Sequence, residues 1–287
     1  MLSGVSMEDR RRNYIQKDRG LIRQMKLEKL YLGTNLKMYK TTRETSDYLR
    51  SLVELTSDLP RTDLCTFVIP SFTALSQAKA IAGNLIEIGA QNMCWEDTGQ
   101  FTGEISPLML KELGIQLVEI GHSERRQHFG ESDPIVNKKV LAGLGHGFTA
   151  LICVGETAED KNFQVAVEKI RQQVKIALHG VTEEQLSRVW IAYEPVWAIG
   201  VHGTPAKAEY ANEIHKEIKK VLVEMFAEAG ARIPVLYGGS VNMGNAVELI
   251  SQPEIDGLFI GRAAWDAGEF NKIIRATLSS WQTKNIA

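Results

Sequence analysis

The chain has 287 residues, 44% hydrophobic and 24% charged, with a formal net charge of −2. That balance suits a soluble globular protein with a sizeable core and gives no electrostatic reason to expect nucleic acid or an anionic membrane as partner. Three scattered cysteines, Cys65, Cys94 and Cys153, argue against a disulfide framework and for a reducing compartment, the cytoplasm, and no apolar run reaches the roughly 18 residues of a membrane helix.

The N-terminal stretch MLSGVSMEDRRRNYIQKDRG is polar and of mixed charge. It lacks the apolar segment of a secretory signal, and Glu8, Asp9 and Asp18 weaken a transit-peptide reading. Residues 1–24 are therefore read as a flexible extension and 25–287 as one domain, whose length is close to the roughly 250 residues of a (β/α)8 barrel.

Beyond Met25, short apolar runs recur: KLYLGTN (29–35), TFVIPS (66–71), IEIGAQN (86–92), QLVEIGHS (116–123), TALICVGE (149–156), RVWIAYEP (188–195), PVLYGGS (234–240) and GLFIGRA (257–263). Being apolar nearly throughout, they read as strands buried on both faces. Amphipathic stretches such as RETSDYLRSLVELT and AEYANEIHKEIKKVLVEMFAEAG lie between them, the second stopping at Gly230. Strands alternating with helices give a parallel sheet, as either a doubly wound open sheet or a closed barrel. Eight repeats without a dinucleotide glycine fingerprint favour the α/β class with a single (β/α)8 barrel.

In such folds the site gathers at the C-terminal ends of the strands. Those ends carry Asn35 with Lys37, Gln91-Asn92, His122-Ser123-Glu124, Gly155-Glu156, Glu194, Gly238-Gly239-Ser240 and Gly261-Arg262. Each has a plain structural reading. Glu194 can be an ion-pair partner or a base, and Lys37 a surface lysine or a site cation. His122 can be structural; at a helix start, where Ser123 can cap and Glu124 sits in the first turn, its neutral form is favoured and can donate a hydrogen bond. The glycines can be turn residues or a phosphate cradle in which backbone N–H groups approach an oxyanion. Cys153, inside ALICVGE, reads as a buried structural thiol. His128, His146, His179, His202 and His215 show no ligand spacing, and CxxC, HExxH and Asp-rich loops are missing, so no metal is expected.

Asn35-x-Lys37-Met38, GAQN (89–92), FTGEIS (101–106), GHSERR (121–126), CVGE (153–156), YEPVWAIG (193–200) and YGGSVN (237–242) stand in the order and approximate spacing of one family. The chain resembles triosephosphate isomerases from about residue 28 to about residue 275. The resemblance implies a TIM barrel and a cofactor-free aldose–ketose isomerase acting on a short phosphorylated sugar through an enediolate. It implies Glu194 as the base, His122 as the neutral donor to the carbonyl, and Lys37 with Asn35 as support for negative charge. Ser123, Glu124 and Arg126 are implied as structural support. Residues 195 to about 206 are implied as a closing lid, with Gly200, Ser240, Gly261 and Arg262 around the phosphate. A homodimer through the loop carrying Thr102 is implied as well.

The sequence also departs from the family pattern. Leu36 replaces an aromatic residue, and Tyr39 an asparagine. The lid reads Val201-His202-Gly203-Thr204-Pro205 instead of Thr-Gly-Lys, with about one extra residue, and Gly261 is followed by Arg262, Ala263, Ala264 and Trp265. The main expectation is interconversion of glyceraldehyde 3-phosphate and dihydroxyacetone phosphate, in glycolysis and gluconeogenesis. The alternative is the family's side branch that isomerises L-erythrulose 1-phosphate in four-carbon polyol breakdown, which the lid and the strand end IGRAAW resemble. Two readings of other classes remain: a non-catalytic phosphosugar-binding barrel, and an aldolase using Lys37 as a Schiff base.

Overall fold

A computed structural model describes residues 27–200 and 203–286. The extension read over residues 1–24 lies outside the described residues, as do Val201 and His202 of the expected lid. Eight strands run through the chain: β1 (Leu30–Asn35), β2 (Leu64–Ile69), β3 (Glu87–Ala90), β4 (Leu117–Ile120), β5 (Thr149–Val154), β6 (Val189–Tyr193), β7 (Val235–Tyr237) and β8 (Gly257–Ile260). Each pairs in parallel with the next, and β1 pairs with β8, so the sheet closes into a barrel. The expected strands are all present. The second begins earlier than expected, at Leu64, and ends before Pro70, which has no N–H to give a ladder.

Ten helices wrap the barrel: α1 (Thr42–Leu55), α2 (Leu75–Ala82), α3 (Pro107–Glu112), α4 (Ser123–Phe129), α5 (Asp133–Gly145), α6 (Ala158–Asn162), α7 (Ala166–Ala177), α8 (Ala208–Gly230), α9 (Ala246–Ser251) and α10 (Ala267–Ile286), among the described residues. α1 starts with a capping box. Thr41 accepts from the Glu44 N–H, and the Glu44 carboxylate accepts from the Thr41 N–H at 2.8 Å. Tyr48, Leu49 and Leu52 then fall on one buried face. The Tyr48 hydroxyl reaches across to the Ala264 carbonyl at 2.7 Å, tying the first helix to the turn after β8.

Two apolar layers result. Phe270, Ile273, Ile274 and Leu278 of α10 belong to the outer one, between helices and sheet. The inner one fills the barrel with Phe67, Ile69, Leu117, Leu151, Cys153 and Phe259. Each fully buried aliphatic or aromatic side chain contributes about 1.5–3 kcal/mol. Gly33 leaves room for the inner layer, since a Cβ there would meet the Phe67 ring at 2.2 Å.

α8 reaches Gly230 as expected but is not straight. Phe226 and Ala227 leave helical geometry, Ala227 at φ +48°, and the chain resumes a turn that ends at Gly230.

Candidate active site

The strand ends open onto a cavity of about 420 Å³ lined by Asn35, Lys37, His122, Glu124 and Glu194 on one side. The opposite wall is made by Gly200, Ser240, Gly261 and Arg262. Ser123 and Arg126 lie behind this cavity, against Gly121, Cys153 and the back of Glu194.

Asn35 ends β1, and both ends of its amide are used. Its Nδ2 donates to Glu119 Oε2 at 2.6 Å, and its Oδ1 accepts from the Lys37 N–H at 2.6 Å and from Gln91 Nε2 at 3.1 Å. The indole of Trp265 donates to the Asn35 carbonyl at 2.9 Å, while its ring packs against Tyr39 with centroids 4.4 Å apart. These bonds hold a left-handed turn in which Lys37 sits at φ +51°, a strained conformation for a residue with a Cβ. The turn aims Lys37 Nζ at Glu124 Oε1, 2.6 Å away. Burial alone would raise the Glu124 carboxyl, but the Lys37 hydrogen bond and His122 bring it below its ordinary value.

His122, and not Ser123, caps α4. Its Nδ1 accepts from the Glu124 N–H at 3.1 Å. A nitrogen that accepts carries no proton, so the ring N–H is on Nε2. Nε2 lies 3.3 Å from Glu194 Oε1. Ser123 contributes its backbone, whose N–H points at Glu194 Oε2 from 3.3 Å. Arg126 binds the Gly121 and Cys153 carbonyls at 2.7 and 3.3 Å and Asp133 at 2.5 Å, joining the ends of β4 and β5.

Glu194 follows β6 directly, and its N–H donates to the Val154 carbonyl at 2.7 Å. The neighbouring strand can come this close because Gly155 has no side chain: a Cβ there would stand 1.9 Å from the Glu194 carbonyl oxygen. The segment expected to form a lid begins with a short turn over Val196–Ala198. Glu156 anchors it, accepting from Trp197 Nε1 at 2.8 Å and from the hydroxyls of Tyr193 and Tyr210 at 3.0 Å each. Lys161 Nζ stands 3.4 Å from the centre of the Trp197 ring.

On the opposite wall, Gly200 takes φ +88°, open to glycine without strain. Arg262 begins the short turn Arg262–Ala264, is exposed, and has no ion-pair partner among the described residues. Thr102 is exposed in the loop before α3.

Sequence reasoning missed Glu119. It is wholly buried in β4, between Asn35 and the Cys153 thiol, whose Sγ is 3.7 Å from Oε1. Burial, and then the neighbouring Glu194 charge, push its carboxyl well above the usual range. The available signal was an acid inside the otherwise apolar strand LVEI. Glu119, His122 and Glu194 bring three potential metal-ligand atoms within 4.8 Å of one another. Their hydrogen bonds to Asn35, Glu124 and Ser123 already engage the same groups.

The triosephosphate isomerase family profile matches residues 30–277. A protein of Rhizobium etli named L-erythrulose-1-phosphate isomerase is 50% identical over 248 residues, 85% of this chain and 91% of its own length. Proteins of the same name from Brucella abortus, over 251 residues, and Mesorhizobium japonicum, over 252, are each 47% identical. They cover 86% and 85% of this chain, and 96% and 95% of their own lengths. These relatives overturn the main expectation of a glyceraldehyde 3-phosphate isomerase in glycolysis and gluconeogenesis; the four-carbon alternative agrees with their names. The closed barrel, the site at its strand ends and a profile match across nearly all of the described barrel lead to one assignment: the chain belongs to the triosephosphate isomerase family, a family of isomerases.

Proposed function

We propose that the protein isomerises L-erythrulose 1-phosphate by moving its carbonyl one carbon along the chain. The observation that carries the chemistry is the Glu194 carboxylate 3.3 Å from the His122 Nε2–H, at the floor of the cavity. The names of relatives 44–50% identical support the substrate.

In this substrate C1 carries the phosphate ester and C2 the carbonyl, so the acidic hydrogen on the free side is on C3. Glu194 takes that proton. The electron pair becomes the C2–C3 double bond, and the charge on the C2 oxygen is met by the His122 N–H and the Lys37 ammonium. His122 gives its Nε2 proton to the C2 oxygen and takes one from the C3 hydroxyl, Glu194 returns its proton to C2, and the carbonyl is left at C3. The redox change is internal to the sugar, so no cofactor is required. Backbone N–H groups at Gly200, Ser240 and Gly261, with the Arg262 guanidinium, hold the phosphate. Closure of residues 195–206 keeps water from the enediolate, which can otherwise expel phosphate.

The single-domain reading of residues 25–287 belongs to this proposal, as do a homodimer through the Thr102 loop and a cytoplasmic setting. No helix among the described residues is long and apolar enough to cross a membrane, and Cys65, Cys94 and Cys153 are free. The test is kcat/KM for L-erythrulose 1-phosphate and for dihydroxyacetone phosphate side by side. A preference for the four-carbon substrate of about 100-fold or more supports the reading; an equal or larger rate on the three-carbon substrate overturns it.

A further inference from the structure

The chain departs from its family's pattern at Tyr39 and in the run Arg262–Trp265, and the fold turns these separate departures into one contact. The rings of Tyr39 and Trp265 meet with centroids 4.4 Å apart, and Trp265 Nε1 donates to the Asn35 carbonyl at 2.9 Å across 230 residues of chain. Both rings border the candidate active-site cavity. The proposed reaction uses neither.

Asn35 and Tyr39 flank Lys37 on either side. Between them the backbone passes through φ +51° at Lys37, a conformation that a residue with a Cβ keeps only where its surroundings over-determine it. Inside the turn, the Lys37 N–H donates to Asn35 Oδ1 at 2.6 Å and the Tyr39 N–H to the Leu36 carbonyl at 3.3 Å. Trp265 adds one contact on each side of Lys37 from outside the turn. Tyr39 is 66% exposed, and its ring rests on the indole.

The indole is itself fixed from the far side. The Trp265 N–H donates to the Arg262 carbonyl at 3.1 Å, and the Ala264 N–H to the Gly261 carbonyl at 2.9 Å. The Ala264 carbonyl also accepts from the Tyr48 hydroxyl at 2.7 Å. One short turn after β8 therefore carries Gly261 and Arg262 at its start and Trp265 at its end. A tryptophan has only two side-chain torsions, so it transmits position and absorbs little of it.

We propose that Trp265 is a positioning residue: its indole holds the Asn35–Tyr39 segment so that the Lys37 ammonium faces the carbonyl oxygen of a substrate whose phosphate lies at Gly261 and Arg262. The inference rests on the proposed function for the place of the phosphate. A displaced cation loses charge stabilisation in the transition state, so removing the indole should act on kcat more than on KM.

The test measures kcat and KM on L-erythrulose 1-phosphate for wild type, Trp265→Phe, Trp265→Leu, Lys37→Met and the double variant Lys37→Met/Trp265→Leu, with chemical denaturation as a check of folding. Trp265→Leu should lower kcat by about 10–100-fold and leave KM within about threefold. Trp265→Phe keeps a ring for Tyr39 but has no N–H for the Asn35 carbonyl, and should fall between. In the Lys37→Met background, Trp265→Leu should cost less than about threefold, because the lysine through which it acts is gone. If Trp265→Leu does not fold, Trp265→Phe takes its place in the double variant. An unchanged kcat, a rise in KM alone, or the same loss with and without Lys37 overturns the positioning role and leaves the proposed function intact. If the wild type does not turn over L-erythrulose 1-phosphate, the proposed function fails, and the same set of variants on dihydroxyacetone phosphate decides the role of Trp265 separately. Failure of the wild type on both substrates removes both.

Discussion

The side-chain amide of Gln91 donates to the backbone carbonyl of Lys37 at 2.8 Å, across 54 residues of chain. The same nitrogen reaches Asn35 Oδ1 at 3.1 Å, so one side chain from the end of β3 clasps both sides of the strained turn. Removing it should loosen the lysine without unfolding the barrel. Gln91→Leu is expected to lower kcat/KM by about 10–100-fold, because sub-ångström placement of a charged group controls transition-state stabilisation. Steady-state kinetics with a melting curve checks this, and a wild-type rate would show that the turn holds itself.

Lys37→Gly separates strain from chemistry. Glycine relieves about 1 kcal/mol or more of left-handed strain at φ +51°, while loss of the partly exposed Lys37–Glu124 pair costs about 0.2–1 kcal/mol. Stability should therefore change by less than about 1 kcal/mol in chemical denaturation, while kcat falls by about 1,000-fold or more with the site cation gone.

Glu194→Gln keeps the shape and removes the proposed base. A fall in kcat of about 100- to 10,000-fold is expected, with substrate binding and melting temperature nearly unchanged. Retention of more than a tenth of the activity would assign the proton transfer to another group.

His215 lies fully buried on α8, its ring 5.7 Å from that of Tyr193 and 6.3 Å from that of Tyr237. Burial, and then the Lys219 charge, bring its pKa down to about 3 from 6.5. The unfolded chain thus binds a proton that the native state refuses between those values. Stability should be full above pH 6.5 and fall as pH drops toward 3, by up to a few kcal/mol. His215→Phe should flatten that acid limb of the melting temperature; an unchanged slope would place the acid sensitivity elsewhere.

Glu119 has the opposite sign. Its carboxyl is raised in the folded state, so native stability falls as pH rises above the ordinary carboxylate range. Glu119→Gln should melt higher than wild type at pH 8, and the two should converge near pH 4.

The barrel was legible because its strands, buried on both faces, keep nearly continuous apolar runs, and because polar residues collect at one end of each. What escaped the sequence reading depended on three-dimensional neighbours. LVEI reads as an apolar strand with one tolerated acid, until closure of the barrel sets Glu119 beside Asn35 and Glu194. Ser123 is the better cap by residue type, yet the ring of His122 takes that bond, leaving the Ser123 N–H for Glu194. The kink at Ala227 follows no proline or glycine of its own. Gly230 permits the return past it, since a Cβ there would stand 2.1 Å from the Leu222 carbonyl oxygen.

The pairing of β1 with β8 has a consequence for association. An open sheet offers a neighbouring molecule two rows of free peptide groups on which to add a strand, and this sheet offers none. Any stable contact with another copy must be written in side chains and loops, where single substitutions can tune or abolish it. A molecule built this way can change its partners without touching the hydrogen-bonded ring that holds its chemistry.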